Sequence, residues 1–455
     1  MAQAAAEAQK TSLKQVCVAT LVGGVIEWYD FALYGLVAAL VFNKLFFPSV
    51  DPTLGTLAAL GTFAVGFFAR PLGGIVFGHF GDRIGRKTML VVTMLMMGIG
   101  TFVIGLLPTY AQIGIWAPVA LVVLRFFQGF GVGGEWGGAV LVAVEYAPPG
   151  RRGLLQVFPQ MGAPLGSVCA SAMLAALSQL PQPQFLAWGW RIPFLVSVLL
   201  VPVGLYVRFR VAETPLFERV KKQRAELRNP IWEAIKAHPR SMLLTLGLRQ
   251  VENGSIYLIT VYVLAFATEH MGVPRGAFLT GTALGYGIAV ATILAAGALS
   301  DRVGRKPVYL FGTAVVGLTA FPLFWLLETR DPVLVAVGVL LPIAFGSQLM
   351  YGAEGAWIAE FFGTRHRYSG ASVAYQAAAV PAGGLAPFVA TGLVALGGGG
   401  WWPIAAYLVA MAVISAVCTF LAPETFRTRI DEDVQAASEV PAAAGAAVLG
   451  PARTE

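Results

Sequence analysis

Gly78-His79-Phe80-Gly81-Asp82-Arg83-Ile84-Gly85-Arg86-Lys87 returns later in the chain as Gly297-Ala298-Leu299-Ser300-Asp301-Arg302-Val303-Gly304-Arg305-Lys306, with six of ten positions identical. Each copy separates two apolar runs of about 20 residues, the length that carries a helix across the hydrocarbon core. Two further marks recur in the same order. Glu145 and Arg152 are matched by Glu360 and Arg367, each a Glu-x6-Arg, and Glu213-Thr214-Pro215 is matched by Pro423-Glu424-Thr425. Three such pairs imply a duplicated unit of six helices, the copies related by an axis along the membrane normal.

Working outward, twelve apolar runs are read at 14–40, 53–79, 88–107, 114–143, 154–178, 189–210, 240–268, 277–300, 307–327, 333–358, 369–396 and 401–421. The expected fold is an all-α membrane protein of twelve transmembrane helices in two pseudo-symmetric six-helix bundles. Composition agrees: 57% of the 455 residues are hydrophobic and 12% charged, which excludes an ordinary water-soluble domain of this size. Gly and Pro inside the runs suit membrane helices, where small residues permit close approach. The expected organisation is an N-terminal segment (1–13), a first bundle (14–210), a polar linker (211–239), a second bundle (240–422) and an Ala-rich disordered tail (423–455). Residues 215–237 read either as amphipathic helix on the membrane surface or as a solvated linker.

Basic residues set the orientation. The termini and the loops after even-numbered spans hold 24 of the 31 Lys and Arg, and the opposite loops hold four, Lys44, Arg191, Arg275 and Arg330. Both termini are expected in the cytoplasm, and the net charge of +7 reads as a topology signal, not nucleic-acid binding. Lys10 and Lys14 before the first run resemble a signal peptide, but Glu27 and Asp30 interrupt that run and no small-residue cleavage site follows. It reads as a retained first span. Cys17, Cys169 and Cys418 are far apart in sequence and suggest neither a disulfide framework nor a metal site.

Glu27-Trp28-Tyr29-Asp30-Phe31-Ala32-Leu33-Tyr34-Gly35, Arg70-Pro71-Leu72-Gly73-Gly74, Arg125-Phe126-Phe127-Gln128-Gly129, Gly133-Gly134-Glu135-Trp136-Gly137-Gly138 and Trp190-Arg191-Ile192-Pro193-Phe194 join the repeated loops to carry a resemblance over nearly the whole chain. The sequence resembles the major facilitator superfamily and, within it, the metabolite:proton symporter family. It is most similar to the shikimate-transporter branch, whose relatives carry dicarboxylates, citrate, aromatic acids, proline and betaine. The resemblance implies a proton-coupled importer of a small organic acid in a bacterial inner membrane, a functional monomer without cofactor.

The resemblance also implies that the repeated loops form a conformational latch. Gly78, Asp82, Arg83, Gly85, Arg86 and Lys87 form the first copy; Asp301, Arg302 and Arg305 belong to the second, with Glu145, Arg152, Glu360 and Arg367 extending the network. Carboxylates at helix N-termini contribute about 0.3–1 kcal/mol each, more when partly buried, and a latch made only when the ends of the bundles meet favours one conformation. The alternative is that the basic residues only fix topology. The first loop lacks the glycine spacing and preceding strand of a phosphate loop, so nucleotide hydrolysis is rejected.

Charges at mid-depth point to the transport path, because burial in lipid costs at least about 2.5–3.5 kcal/mol. Glu27 and Asp30 share a helix face with Tyr34, Arg125 shares one with Gln128, and Arg249 shares one with Glu252. Arg125, with Arg249, is expected to bind a carboxylate through its planar fork. Asp30 or Glu27 is expected to exchange the proton, released to take it up when substrate claims the arginine. Static pairs holding spans one, four and seven in register are the competing interpretation. Glu135 is a further proton candidate, although its neighbours Gly133, Gly134, Gly137 and Gly138 read as close-packing residues. Gln160, Tyr257, Tyr351, Tyr375 and Gln376 are candidates for lining the cavity, Arg70 reads as structural, and Glu354 falls lower in its span than a substrate ligand should. The histidines lie in loops or at helix ends, which indicates no histidine relay. No nucleophile with a base and no metal cluster is legible, so an enzyme is not expected. A drug exporter and a non-transporting receptor are weaker alternatives; the tail lacks the heptads of an osmosensing coiled coil.

Overall fold

The structure is a computed structural model that describes residues 13–48, 52–84, 86–148, 150–177, 179–209, 230–362 and 367–427. All regular structure among these residues is helical. The first six principal helices are α1 (Leu13–Val37), α2 (Pro52–Ile84), α3 (Arg86–Leu106), α4 (Trp116–Glu145), α5 (Arg152–Leu177) and α6 (Arg191–Phe209). The second six are α7 (Pro239–Tyr257), α8 (Arg275–Val303), α9 (Arg305–Glu328), α10, α11 and α12 (Trp402–Leu421). α10 runs Pro332–Leu341 and continues through a π-helical turn, Pro342–Ser347, into Gln348–Glu360; α11 runs Arg367–Ala379 and continues through Val380–Gly384 into Ala386–Leu396.

Among the described residues, ten helical segments are long and apolar enough to cross a membrane. The expected second and fifth spans are the other two, and both are present as continuous helices, α2 and α5. At about 1.5 Å per residue each exceeds the hydrocarbon thickness. α5 packs between α1 and α8, and α2 between α4 and α11. Gln156 and Gln160 of α5 are buried against protein, where a polar side chain is tolerated at membrane depth.

Small residues set these approaches. A Cβ on Gly162 of α5 would lie 2.6 Å from the Gly24 Cα of α1, and one on Gly133 of α4 would lie 2.7 Å from the Gly74 nitrogen of α2. The stripe Gly133, Gly134, Gly137 and Gly138 meets Arg70 and Gly74, Phe77, Ser372, and Leu90 in turn, which is the close-packing role expected of it. Gly304, between α8 and α9, has φ +105°, a region open to glycine and strained for any residue with a Cβ.

Candidate functional site

The first and second bundles meet at two levels. At the end that carries the Asp301 loop, Asp301 Oδ1 accepts the Gly153 N–H and Oδ2 the Leu154 N–H, both at 2.8 Å. The carboxylate of one bundle thereby satisfies two orphan donors in the first turn of α5 in the other. Arg305 braces it, donating from Nη1 to Asp301 Oδ1 at 2.8 Å and to Ser300 Oγ at 2.7 Å, and from Nη2 to Glu360 Oε1 at 3.2 Å. Arg152 Nη1 lies 3.9 Å from Glu360 Oε1, again across the bundles. Glu424 caps α9, accepting from the Arg305 and Lys306 nitrogens at 2.9 and 3.0 Å, and Thr425 Oγ1 donates to Glu360 Oε2 at 2.6 Å. Asp301, Arg305, Glu360 and Arg152 therefore form one network with Pro423-Glu424-Thr425. Arg302 is exposed, Arg367 is buried and Glu145 is half-buried. The first copy falls outside the description: Gly85 is not described, nor are the side chains of Asp82, Arg83, Arg86 and Lys87. Gly78 lies on α2, and Glu213-Thr214-Pro215 also lies outside the described residues.

One level deeper, three glutamines seal the seam. Gln160 Nε2 donates to Tyr351 O at 3.1 Å while its Oε1 accepts from Trp136 Nε1 at 3.2 Å. Gln376 Nε2 donates to Val132 O at 3.3 Å, and Gln156 Nε2 donates to Gly352 O. The Trp136 ring stacks on Tyr375 from the opposite bundle.

Beyond this seal lies a small cavity between the bundles. Trp28, Ala163 and Ser167 line it from the first bundle, and Glu252, Asn253, Ile256, Tyr257, Tyr286, Gln348 and Tyr351 from the second. Asn253 Oδ1, Gln348 Oε1 and Tyr351 Oη are buried here with no hydrogen-bond partner. Buried polar atoms without partners are uncommon, and three around one cavity mark a place for a polar guest.

Two charged clusters flank the cavity. In the first bundle Arg125 is 1% exposed and its guanidinium sits 4.2 Å from the Tyr34 ring centroid and 4.5 Å from that of Phe31. Arg125 Nη1 donates to Gln128 Oε1 at 3.3 Å, and Gln128 Nε2 donates to Thr101 Oγ1 at 2.6 Å. Tyr34 Oη donates to Thr62 Oγ1 at 2.7 Å. Asp30 is buried near Thr101, Arg125 and Glu135, and neither of its oxygens makes a hydrogen bond of normal geometry. Arg70, over Phe31 and Phe67, closes this cluster. In the second bundle Arg249 Nη2 meets Glu252 Oε2 at 3.1 Å, its Nε lies 3.5 Å from Glu354 Oε1, and its Nη1 donates to Tyr375 O at 2.8 Å.

The sequence-predicted candidates thus separate into four places. Glu252 and Tyr257 line the cavity. Asp30, Glu135, Arg125, Gln128 and Tyr34 belong to the first-bundle cluster, where Phe31 packs on both Arg125 and the cavity-lining Tyr257, with Glu27 half-buried one turn away from Asp30. Gln160 and Gln376 hold the seal and Arg249 is enclosed by carboxylates. Asn253, Gln348 and Tyr286 carry only the signal of an uncharged polar residue inside an apolar run, and Glu354, though charged, lies lower in its span than a substrate ligand should.

The Major Facilitator Superfamily profile matches residues 20–383. The chain belongs to the major facilitator superfamily. Within this superfamily it is 42% identical over 417 residues to the shikimate transporter of Escherichia coli K12, covering 91% of this chain and 95% of that one. It is 34% identical over 440 residues to a proline/betaine transporter of Salmonella typhimurium LT2, covering 94% and 87%. The solved proton:xylose symporter XylE, bound to 6-bromo-6-deoxy-D-glucose, superposes with a TM-score of 0.74 at 18% identity over 93% of this chain and 98% of that one. That likeness shows a shared fold. The protein is a multi-pass membrane transporter of the major facilitator fold, and not an enzyme.

Proposed function

We propose that the protein imports a small hydroxylated organic acid, of the shikimate type, together with protons across a bacterial inner membrane, by alternating access of the two bundles around the central cavity. The observation that carries this reading is the set of unsatisfied polar atoms, Asn253 Oδ1, Gln348 Oε1 and Tyr351 Oη, facing one enclosed space. Hydroxyl groups on a compact ring can donate to the two amide oxygens and bond the phenol, while Trp28 and Tyr286 cover apolar faces. The 42% identity to a shikimate transporter supports the same class. In this reading both termini and the latch end face the cytoplasm, as the basic-residue bias favours.

Asp30, with Glu27 and Glu135 near it, is the proton-exchanging group of the first bundle, and Arg125 the cation it balances. Arg125, Gln128 and Tyr34 reach the solute when the latch opens and Phe31 moves. Energetics favour symport for an anion: a potential of about 100 mV, negative inside, opposes each entering negative charge by about 2.3 kcal/mol, and one proton cancels it.

A second reading, a zwitterionic solute such as proline or betaine, is favoured by Glu252 and the aromatic side chains Trp28, Tyr257 and Tyr286 in the lining, which suit a quaternary ammonium. Uptake into proteoliposomes under an imposed inward proton gradient separates them. Radiolabelled shikimate should accumulate, and excess unlabelled shikimate should compete where betaine and succinate do not. Uptake of betaine with no uptake of shikimate would overturn the organic-acid reading and leave the transporter standing.

A further inference from the structure

Arg249 faces two carboxylates. Glu252 is its neighbour on α7, and Glu354 comes from α10. All three side chains are 3% exposed or less. Tyr257 of α7, Tyr309 of α9, Tyr351 of α10 and Tyr375 of α11 also face the group, and Arg249 is the cation in contact with both carboxylates. Glu27 of α1 acts on Tyr351, and Cys418 of α12 on Tyr309, neither directly on the pair. Tyr309 Oη is committed to Leu248 O at 2.8 Å and offers no donor to it. One positive and two negative charges leave one uncompensated negative charge in a water-poor interior, and burying such a charge is costly. A single proton neutralises the group. The geometry leaves room for it: Glu252 and Glu354 are close enough to interact directly, and neither oxygen of Glu354 has a hydrogen-bond partner of normal geometry. Two carboxylates sharing one site titrate as a pair.

Glu252 also lines the cavity. An organic anion entering the cavity would meet a like charge there unless the pair already holds its proton. Resting on the reading of the protein as an organic-acid symporter, we propose that Glu252 and Glu354 share one proton across Arg249 and form a second proton-coupling site, in the second bundle, which must be loaded before an anionic solute occupies the cavity. The proton comes from water on the entry side and bonds to a carboxylate oxygen, its hydroxyl donating to the other carboxylate. It leaves to water on the exit side after the solute departs. This site is separate from Asp30 and gives the carrier two places at which protonation and binding are linked.

Infrared titration of the purified full-length protein, without solute, tests the site. The wild type should show a protonated-carboxyl C=O band that is absent from both Glu252→Gln and Glu354→Gln, because either change leaves one glutamate paired one-to-one with Arg249. The double variant should lose nothing more. A band unchanged in either single variant overturns the proposal, and if one variant fails to fold the other gives the same answer. The second arm measures radiolabelled shikimate affinity against pH. Wild-type affinity should fall as pH rises above the point of proton release, and Glu252→Gln should remove up to about tenfold per pH unit of that fall, leaving the part linked to Asp30. A slope in Glu252→Gln equal to that of the wild type also overturns the proposal. If the wild type binds no shikimate, the organic-acid reading fails alone, and the infrared bands still decide the proton site.

Discussion

Asp301 accepts the backbone N–H of Gly153 at 2.8 Å across the boundary between the bundles. The same carboxylate takes the Leu154 N–H and pairs with Arg305. Asp301→Ala removes an N-terminal cap and a buried ion-pair partner together, a loss of about 1–3 kcal/mol confined to the latched state. The equilibrium should move about 5–150-fold toward latch opening. Spin labels at Pro148 and Val303, in a background without Cys17, Cys169 and Cys418, report the separation of the two bundles at this end. Asp301→Asn, which keeps one acceptor, should shift the distances less than Asp301→Ala. Unchanged distances in Asp301→Ala would show that the contact does not contribute to closure.

Backbone proximity makes the same state depend on two glycines. A Cβ at Gly153 would lie 2.5 Å from Gly297 O and 2.6 Å from Ser300 Oγ, and the Gly297 position faces Gly153 in return. Gly153→Val and Gly297→Val should each open the latch, and the double variant should open it little further, because both changes break the same approach. Additive shifts would place the two glycines in separate contacts.

Tyr351 offers a test of solute chemistry with little disturbance of packing. Its ring meets Trp28 edge-on at 6.2 Å, a contact that phenylalanine preserves, while its hydroxyl has no hydrogen-bond partner. Tyr351→Phe should therefore leave thermal stability within about 0.5 kcal/mol of wild type and weaken binding of a hydroxylated acid by about 1 kcal/mol, near fivefold. Binding of an analogue lacking the ring hydroxyls should change little. Equal losses for both ligands, measured by equilibrium binding, would remove the hydroxyl contact from the account.

The fold was legible in the sequence because its signals are global: apolar length and a repeated loop are set by the bilayer and by duplication. The contact network between the bundles was legible because Asp301, Arg305, Glu360 and Arg152 lie in loops or at helix ends, where spacing fixes position. The cavity was less so. Periodicity places Arg125 with Gln128 on one face but does not say that Phe31 packs on both Arg125 and the cavity-lining Tyr257. Glu354 was discounted on depth, a measure blind to the π-helical turn at Pro342–Ser347, which changes the helical register before it. Asn253 and Gln348 carry no charge and show no periodic pattern, so only the arrangement of helices around the cavity reveals them.

Arg125 separates a role in geometry from a role in charge. Its guanidinium lies over the Tyr34 and Phe31 rings and donates to Gln128, which is itself held by Thr101. Lysine keeps the positive charge beside Asp30 but loses the planar fork and the stacking surface. A charge-assisted hydrogen bond contributes about 1.5–3 kcal/mol, so Arg125→Lys should lower proton-driven uptake about 10–150-fold, with a smaller loss of stability. Arg125→Met, which leaves the Asp30 carboxylate without that cation, should cost about 3–5 kcal/mol of stability as well. Uptake kinetics and thermal denaturation of both variants separate the two roles. If Arg125→Lys transports at the wild-type rate, charge alone suffices at this position and the carboxylate-binding role of the guanidinium is lost; if both variants lose stability and uptake in parallel, Arg125 serves to hold α4 in register.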